Sequence, residues 1–198
     1  NLDAKLRMHM RTELVELHRR LGATFVYVTH DQTEAMSMGE EIVVMNKGEL
    51  IQQGAPLQVY EEPNDLFTAQ FIGTPPMNVI EREKLEKHIE GISLGTAAYV
   101  GFRPEKALLY GRQGGALRPL DGVVVNRQTF GAETVYQIQT AFGLVFARDF
   151  SRPLEISSVV ELFLRPEDLH LFDEQGRRLA ATENLAAAGS EPAEPVRR

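Results

Sequence analysis

The sequence predicts an α/β segment followed by an all-β barrel. Three observations carry that expectation. The first twenty residues are amphipathic, and residues 23–29 (ATFVYVT) form a nearly continuous β-branched and aromatic run. A run without polar alternation suits a strand covered on both faces, as in the parallel sheet of an α/β domain. Beyond Pro75-Pro76 the chain changes to short apolar stretches between Gly- and Pro-containing turns, at the pitch of a barrel.

The elements follow in order. Leu6, Met10, Leu14, Leu17 and Leu21 build one stripe of a first helix, with Asp3 as its expected N-cap and Gly22 as a left-handed stop. Arg7, Arg11, Glu13, Glu16 and Arg20 fall mostly outside the stripe and can stay solvated. His30 and Asp31 close the strand at 23–29, and residues 32–38 form a short helix with Asp31 and Glu34 at capping-box spacing. Residues 41–45 and 49–53 flank Asn46-Lys47-Gly48, a hairpin signal. Pro56 suits the first position of another helix, and Asp65 opens the next, which carries Leu66, Phe67, Phe71 and Ile72. Gly73 and Pro75-Pro76 end it and mark the expected domain boundary. The expected domains are thus 1–76, a barrel over 77–178 and a loosely held tail over 179–198, rich in Ala, Glu and Pro. Strands are expected at 98–102, 107–110, 122–125, 134–138, 144–147 and 159–164. A weak repeat supports the barrel: Arg103-Pro104-Glu105 recurs as Arg165-Pro166-Glu167, each copy before an aliphatic segment.

Composition removes several function classes. Of 198 residues, 28 are Asp or Glu and 21 Lys or Arg, a net charge of −7 that argues against non-specific nucleic-acid binding. No apolar run approaches the roughly 18 residues that span a bilayer, and no signal peptide is visible. With no Cys there is no disulfide, thiolate nucleophile or Cys-based metal site. The chain opens on Asn1 with no Met before Met8, so it is expected to start inside a larger protein.

His30 is the most informative residue. It stands at the C-terminal end of the expected buried strand, one residue before a helix N-terminus, where open α/β sheets bind ligands. Its imidazole could hydrogen-bond a phosphate oxygen or orient a water, or it could satisfy a backbone carbonyl. His9 and His18 belong to a polar helix face, His88 follows a charged run, and His170 alternates along an expected strand. No two His residues have zinc spacing, so no metal site is expected. The Arg-Pro-Glu pair could grip a polar ligand. A rigid turn with a surface ion pair, contributing under about 1 kcal/mol, accounts for it more simply. There is no G-x-x-x-x-G-K-[ST], G-x-G-x-x-G or G-x-S-x-G, so the chain alone is expected to be inactive and to hold no cofactor.

The residues resemble one family over nearly the whole chain except the tail. Asn1-Leu2-Asp3-Ala4-Lys5-Leu6-Arg7 resembles the D-loop and following helix of ATP-binding-cassette (ABC) transporter ATPases. Residues 25–36 (FVYVTHDQTEAM) resemble their switch-histidine segment, and 42–48 (IVVMNKG), Gln53-Gly54-Ala55-Pro56 and Tyr60-Glu61-Glu62-Pro63 continue in the family's order. Residues 71–78 (FIGTPPMN) are similar to the junction in ATPase subunits of carbohydrate importers. The C-terminal half resembles their OB-like regulatory domain, and the Arg-Pro-Glu copies match its repeated element. Gly39-Glu40-Glu41 departs from the family's small residue, Asp and Arg.

The resemblance implies a partial P-loop NTPase domain followed by an OB-like barrel regulatory domain. It implies that Asp3 is the D-loop aspartate, which faces the partner subunit's phosphate loop across the dimer. It implies that His30 is the switch histidine, contacting the γ-phosphate and helping to hold the attacking water. The phosphate loop, signature motif, Mg-binding aspartate and catalytic glutamate would lie before Asn1. The intact protein would use ATP and Mg as a homodimer beneath two permease subunits, cytoplasmic and peripheral on the inner face of the membrane, and would import a sugar or related solute. Two rivals stand beside this: a barrel that senses a small anion or polyamine in another importer, and a stand-alone interaction module.

Overall fold

A computed structural model describes residues 4–89, 92–109, 117, 119–151 and 153–180. The expected tail lies outside these residues from 181 onward, as does Asp3. The chain divides into two compact units, Asn1–Pro63 and Asn64–Arg198.

In the first unit, α1 (Ala4–Leu21) ends as expected at Gly22, whose φ of 59° suits a residue without Cβ and whose N–H donates to His18 O at 2.9 Å. Residues 23–29 differ from the expectation. They are unpaired, and Val26 and Val28 are 90% and 88% exposed. A β-branched run becomes a buried strand only when neighbouring strands take its N–H and C=O groups, and the described residues supply none. The apolar stripe of α1 is uncovered at Leu6, Met10 and Leu21, while Leu14 and Leu17 are partly buried. After α2 (Gln32–Met38), β1 (Ile42–Asn46) and β2 (Glu49–Gly54) form the expected antiparallel hairpin. Lys47 and Gly48 have φ of 49° and 86°, the paired positive values of a type I′ turn. The expected helix at Pro56 is α3 (Pro56–Glu61), with the proline in its first turn.

The second unit begins with α4 (Leu66–Phe71), capped by Asp65, whose Oδ1 accepts the Thr68 N–H at 2.7 Å. Compactness therefore divides the chain before α4, earlier than the Pro75-Pro76 punctuation. Then come β3 (Asn78–Glu81), the short α5 (Arg82–Glu86) and β4 (Tyr99–Phe102), followed by β5 (Leu120–Phe130), β6 (Glu133–Thr140), β7 (Gly143–Asp149), β8 (Val159–Leu162) and β9 (His170–Phe172). They form two antiparallel sheets, ordered β3-β4-β9 and β7-β6-β5-β8. Both contribute to one core containing Val100, Phe102, Val124, Tyr136, Ile138, Val145 and Leu162. Tyr136 is wholly buried yet satisfied, its hydroxyl accepting the Leu154 N–H at 3.0 Å. Gly122 allows the strands to close up, since a Cβ there would lie 2.5 Å from Ile138 Cγ2. Of the segment expected as a strand at 107–110, the described residues 107–109 make a single bridge, Leu108 to Phe163, with one pair of hydrogen bonds.

Asn78 ties the two sheets together. Its Nδ2 donates to Phe146 O at 2.8 Å while its Oδ1 accepts the Phe146 N–H at 2.7 Å. One amide side chain thus pairs β3 with β7 as a peptide unit would. Each Arg-Pro-Glu copy forms the same structure, a 3-10 turn over Pro104–Lys106 and over Pro166–Asp168, with the proline first and the arginine extended before it. The repeat read in the sequence is a repeat in space.

Candidate functional site

His30 sits on an exposed bend between residue 29 and α2. Among the described residues its imidazole makes no hydrogen bond, ion pair or ring contact. Everything beside it is fixed. Asp31 caps α2 through Oδ1, which accepts the N–H groups of Thr33 at 2.8 Å and Glu34 at 3.2 Å. Glu34 does not complete the expected capping box by reaching the Asp31 N–H directly. Thr29 Oγ1 takes that N–H at 2.9 Å and passes its own proton to Glu34 Oε2 at 2.6 Å. The box is widened by one hydroxyl. Tyr27 donates to the same Glu34 oxygen at 3.2 Å.

Arg11, expected as part of a solvated face, closes the cluster. Its Nη2 donates to Asp31 Oδ2 at 3.0 Å and to Glu34 Oε1 at 3.1 Å. The Thr29 hydroxyl and the Arg11 guanidinium hold the Glu34 carboxyl below its ordinary value. Desolvation pushes Asp31 upward, but the N–H donors of Glu34 and Thr33 and the Arg11 charge outweigh it, so Asp31 too lies low. Both carboxylates stay charged at neutral pH. The sequence carried no signal of Arg11: Asp31 and Glu34 at capping-box spacing call only for backbone donors, and the carboxylates that Arg11 meets lie twenty and twenty-three residues away.

One expectation about His30 changes. The N–H groups of Thr33 and Glu34 are filled by an acidic cap, so the start of α2 offers these donors to no anion. An anion meeting this turn would meet the imidazole.

In the second unit Arg103 is 2% exposed and donates from Nη1 to Ala69 O at 3.0 Å and Ile72 O at 2.6 Å, carbonyls of the last turn and C-cap of α4. In the first copy the arginine is buried and clasps the end of α4, where the expectation put it at the surface. An ion pair does join the copies: Lys106 Nζ lies 2.8 Å from Asp168 Oδ1, and these are equivalent positions of the repeat. His170 lies close by, half-buried, with Nδ1 unpartnered among the described residues. A cavity of about 400 Å³ lies on the outer face of β5, β6 and β7, lined by Pro75, Pro76, Phe130, Val135, Phe146 and Arg148 among others. A bulge after Val124 turns Asn126, Gln128 and Phe130 to that outer face. Arg148 reaches across it to Thr74 O and lies 3.5 Å from Glu133. No group of three or more His, Asp or Glu among the described residues could hold a metal ion, and no described helix is long and apolar enough to cross a membrane.

A family model described as TOBE domain matches residues 100–172, from β4 to β9. The sn-glycerol-3-phosphate import ATP-binding protein UgpC of Vibrio cholerae is 36% identical over 98% of this chain and 55% of its own length. The protein of the same name from Rhizobium meliloti is 38% identical over 90% of this chain and 53% of its own. That of Bartonella bacilliformis is 48% identical over 55% of this chain. The chain spans about half the length of the curated relatives it matches over nearly its whole extent. A helix and hairpin unit followed by a two-sheet β domain that carries the TOBE match agrees with those likenesses. Over nearly its whole extent the chain is similar to the ATP-binding subunits of import systems, and its C-terminal half carries a TOBE domain.

Proposed function

We propose that this chain is the C-terminal part of the ATP-hydrolysing subunit of an ABC import system for a sugar or related solute. The solute in its relatives' names, sn-glycerol-3-phosphate, is one candidate. The carrying observation is the exposed imidazole of His30, without a partner among the described residues, on a turn whose neighbours are tied down. An imidazole N–H with no acceptor among the described residues fits a phosphate oxygen. Bound Mg-ATP would supply the γ-phosphoryl group and the charge to be neutralised. His30 would hold a γ-phosphate oxygen and keep the attacking water in line, since phosphoryl transfer is mostly positioning and electrostatics. Asp3 would face the phosphate loop of a second copy, which makes the working unit a homodimer. Two permease subunits would sit above it, with the dimer cytoplasmic and peripheral to the membrane. Residues to about 76 would close the nucleotide-binding domain and 77–178 would form its regulatory barrel.

The test is His30→Ala in the full-length subunit. Nucleotide affinity should stay within about twofold, because the imidazole acts where charge develops in the transition state, and kcat should fall at least about tenfold. A change in turnover below about threefold, less than about 0.7 kcal/mol of barrier, overturns the role.

The cavity beside Pro75-Pro76 supports a second reading, a small-ligand site in the barrel. Arg148 lies against Glu133, and Arg127 is 3.1 Å from Glu155, so the charges here are compensated. That favours a neutral polar ligand over an oxyanion or polyamine. Calorimetry with sugars, oxyanions and polyamines should give heat with sugars alone; heat with either charged class would reverse the preference.

A further inference from the structure

We propose that Arg11 is a positioning residue for His30, acting through the paired carboxylates of Asp31 and Glu34. This rests on the reading of His30 as the residue that touches the γ-phosphate. The guanidinium bridges the N-cap of α2 and its third residue from a helix twenty residues earlier, at 3.0 and 3.1 Å. The remaining oxygens of those carboxylates are occupied locally, Asp31 Oδ1 by two backbone N–H groups and Glu34 Oε2 by the Tyr27 and Thr29 hydroxyls. Thr29 Oγ1 also accepts the Asp31 N–H. The residues on both sides of His30 therefore belong to one ring of hydrogen bonds, and Arg11 is its cation among the described residues.

His30 stands outside the ring. Its backbone is clamped while its imidazole stays open, which is the arrangement a ligand-facing side chain needs. Without the guanidinium, two partly buried carboxylates would face each other across a missing donor, and like charges would push the turn open. Misplacement of a catalytic group by about 1 Å is enough to cost about a hundredfold in rate. Among the described residues no hydrogen bond or ion pair joins the ring to the His30 imidazole, so the effect should fall on turnover and not on nucleotide affinity.

The experiment uses the full-length subunit for kinetics and the present chain for structure. Arg11→Met should lower kcat about tenfold or more with KM for ATP within about twofold. Arg11→Lys, a point charge that cannot fork to both carboxylates, should recover part of the loss. In a His30→Ala background, Arg11→Met should cost less than about twofold, because the group it positions is gone. Amide hydrogen exchange at Thr33 and Glu34 should quicken in Arg11→Met while β1 and β2 keep their protection. Equal losses in the wild-type and His30→Ala backgrounds overturn the proposal, as does unaltered exchange or unaltered kcat. If Arg11→Met unfolds the unit, the isosteric Glu34→Gln decides by the same double-mutant comparison. His30→Ala alone separates the two readings. If it leaves turnover intact, the functional reading fails; if it abolishes turnover and Arg11→Met does nothing, only the positioning role fails.

Discussion

His170 shows how position within a repeat sets the chemistry of one residue. It is the counterpart of Leu108 in the first Arg-Pro-Glu copy, so an imidazole stands where the other copy has an aliphatic side chain. Burial, with the Arg178 and Arg103 charges against a smaller opposing effect of Asp168, pushes its pKa down to about 4. The unfolded chain binds this proton near pH 6.5, so between those values it holds more protons than the folded one. The contribution of His170 to stability is full above about pH 6.5 and is lost as pH falls toward 4. Between pH 7 and pH 5 the loss should be on the order of 1 to 2 kcal/mol, with partial exposure discounted. Replacing His170 with Leu should flatten this limb, as measured by urea denaturation at the two pH values. An unchanged slope would show that the imidazole binds its proton equally well in the folded and the unfolded chain.

At the scale of elements, α4 depends on a side chain from another part of the chain. Its six residues are too few to be stable alone, and Arg103 donates to two carbonyls at its end, one of which also accepts the Met77 N–H. Arg103→Met should cost about 2 to 4 kcal/mol by chemical denaturation, because buried carbonyls lose charge-assisted partners. A cost below about 0.5 kcal/mol would mean that α4 is held by its apolar face alone. The Arg-Pro-Glu turns were legible because Pro fixes φ and the copies share a spacing. The burial of Arg103 was not, since its acceptors lie more than thirty residues earlier. The same limit explains the strands. Residues 122–125 and 134–138 were visible as apolar runs, whereas β5 and β6 extend to Leu120–Phe130 and Glu133–Thr140. Their outer ends alternate polar side chains toward the cavity face, and polar strand ends read like loop. Caps and tight turns (Asp31, Asp65, Lys47-Gly48) were legible because their chemistry is local.

For the whole molecule the governing fact is uncovered apolar surface in the first unit. Val26 and Val28, with Leu6, Met8, Met10 and Leu21, expose more aliphatic surface than isolated surface residues would. An unpaired extended segment also offers its N–H and C=O groups to any strand that arrives. Copies of this chain should therefore associate, and the family reading points to a two-fold pair. Sedimentation equilibrium at tens of micromolar should give a mass above the 22.2 kDa of one chain. A monomer would mean that residues 1–63 fold back over their own apolar face in solution. His30 was the candidate most clearly marked in the sequence, and its exposure follows from the turn it occupies. Asp3 lies outside the described residues, so its role rests on resemblance alone.

The contact between Lys106 and Asp168 carries a consequence for assembly. Because these are matching positions of a duplicated turn, two first copies brought together would set lysine against lysine, and two second copies aspartate against aspartate. Only the unlike combination attracts. A surface pair of this kind is worth no more than about 1 kcal/mol, and a like pair costs a similar amount. The preference is small but has a definite sign. In a population of associating chains it favours each first turn closing on a second turn and disfavours the exchange of one half-repeat for its twin. The duplication thus supplies two similar pieces, and a single charge difference between them records which piece belongs on which side.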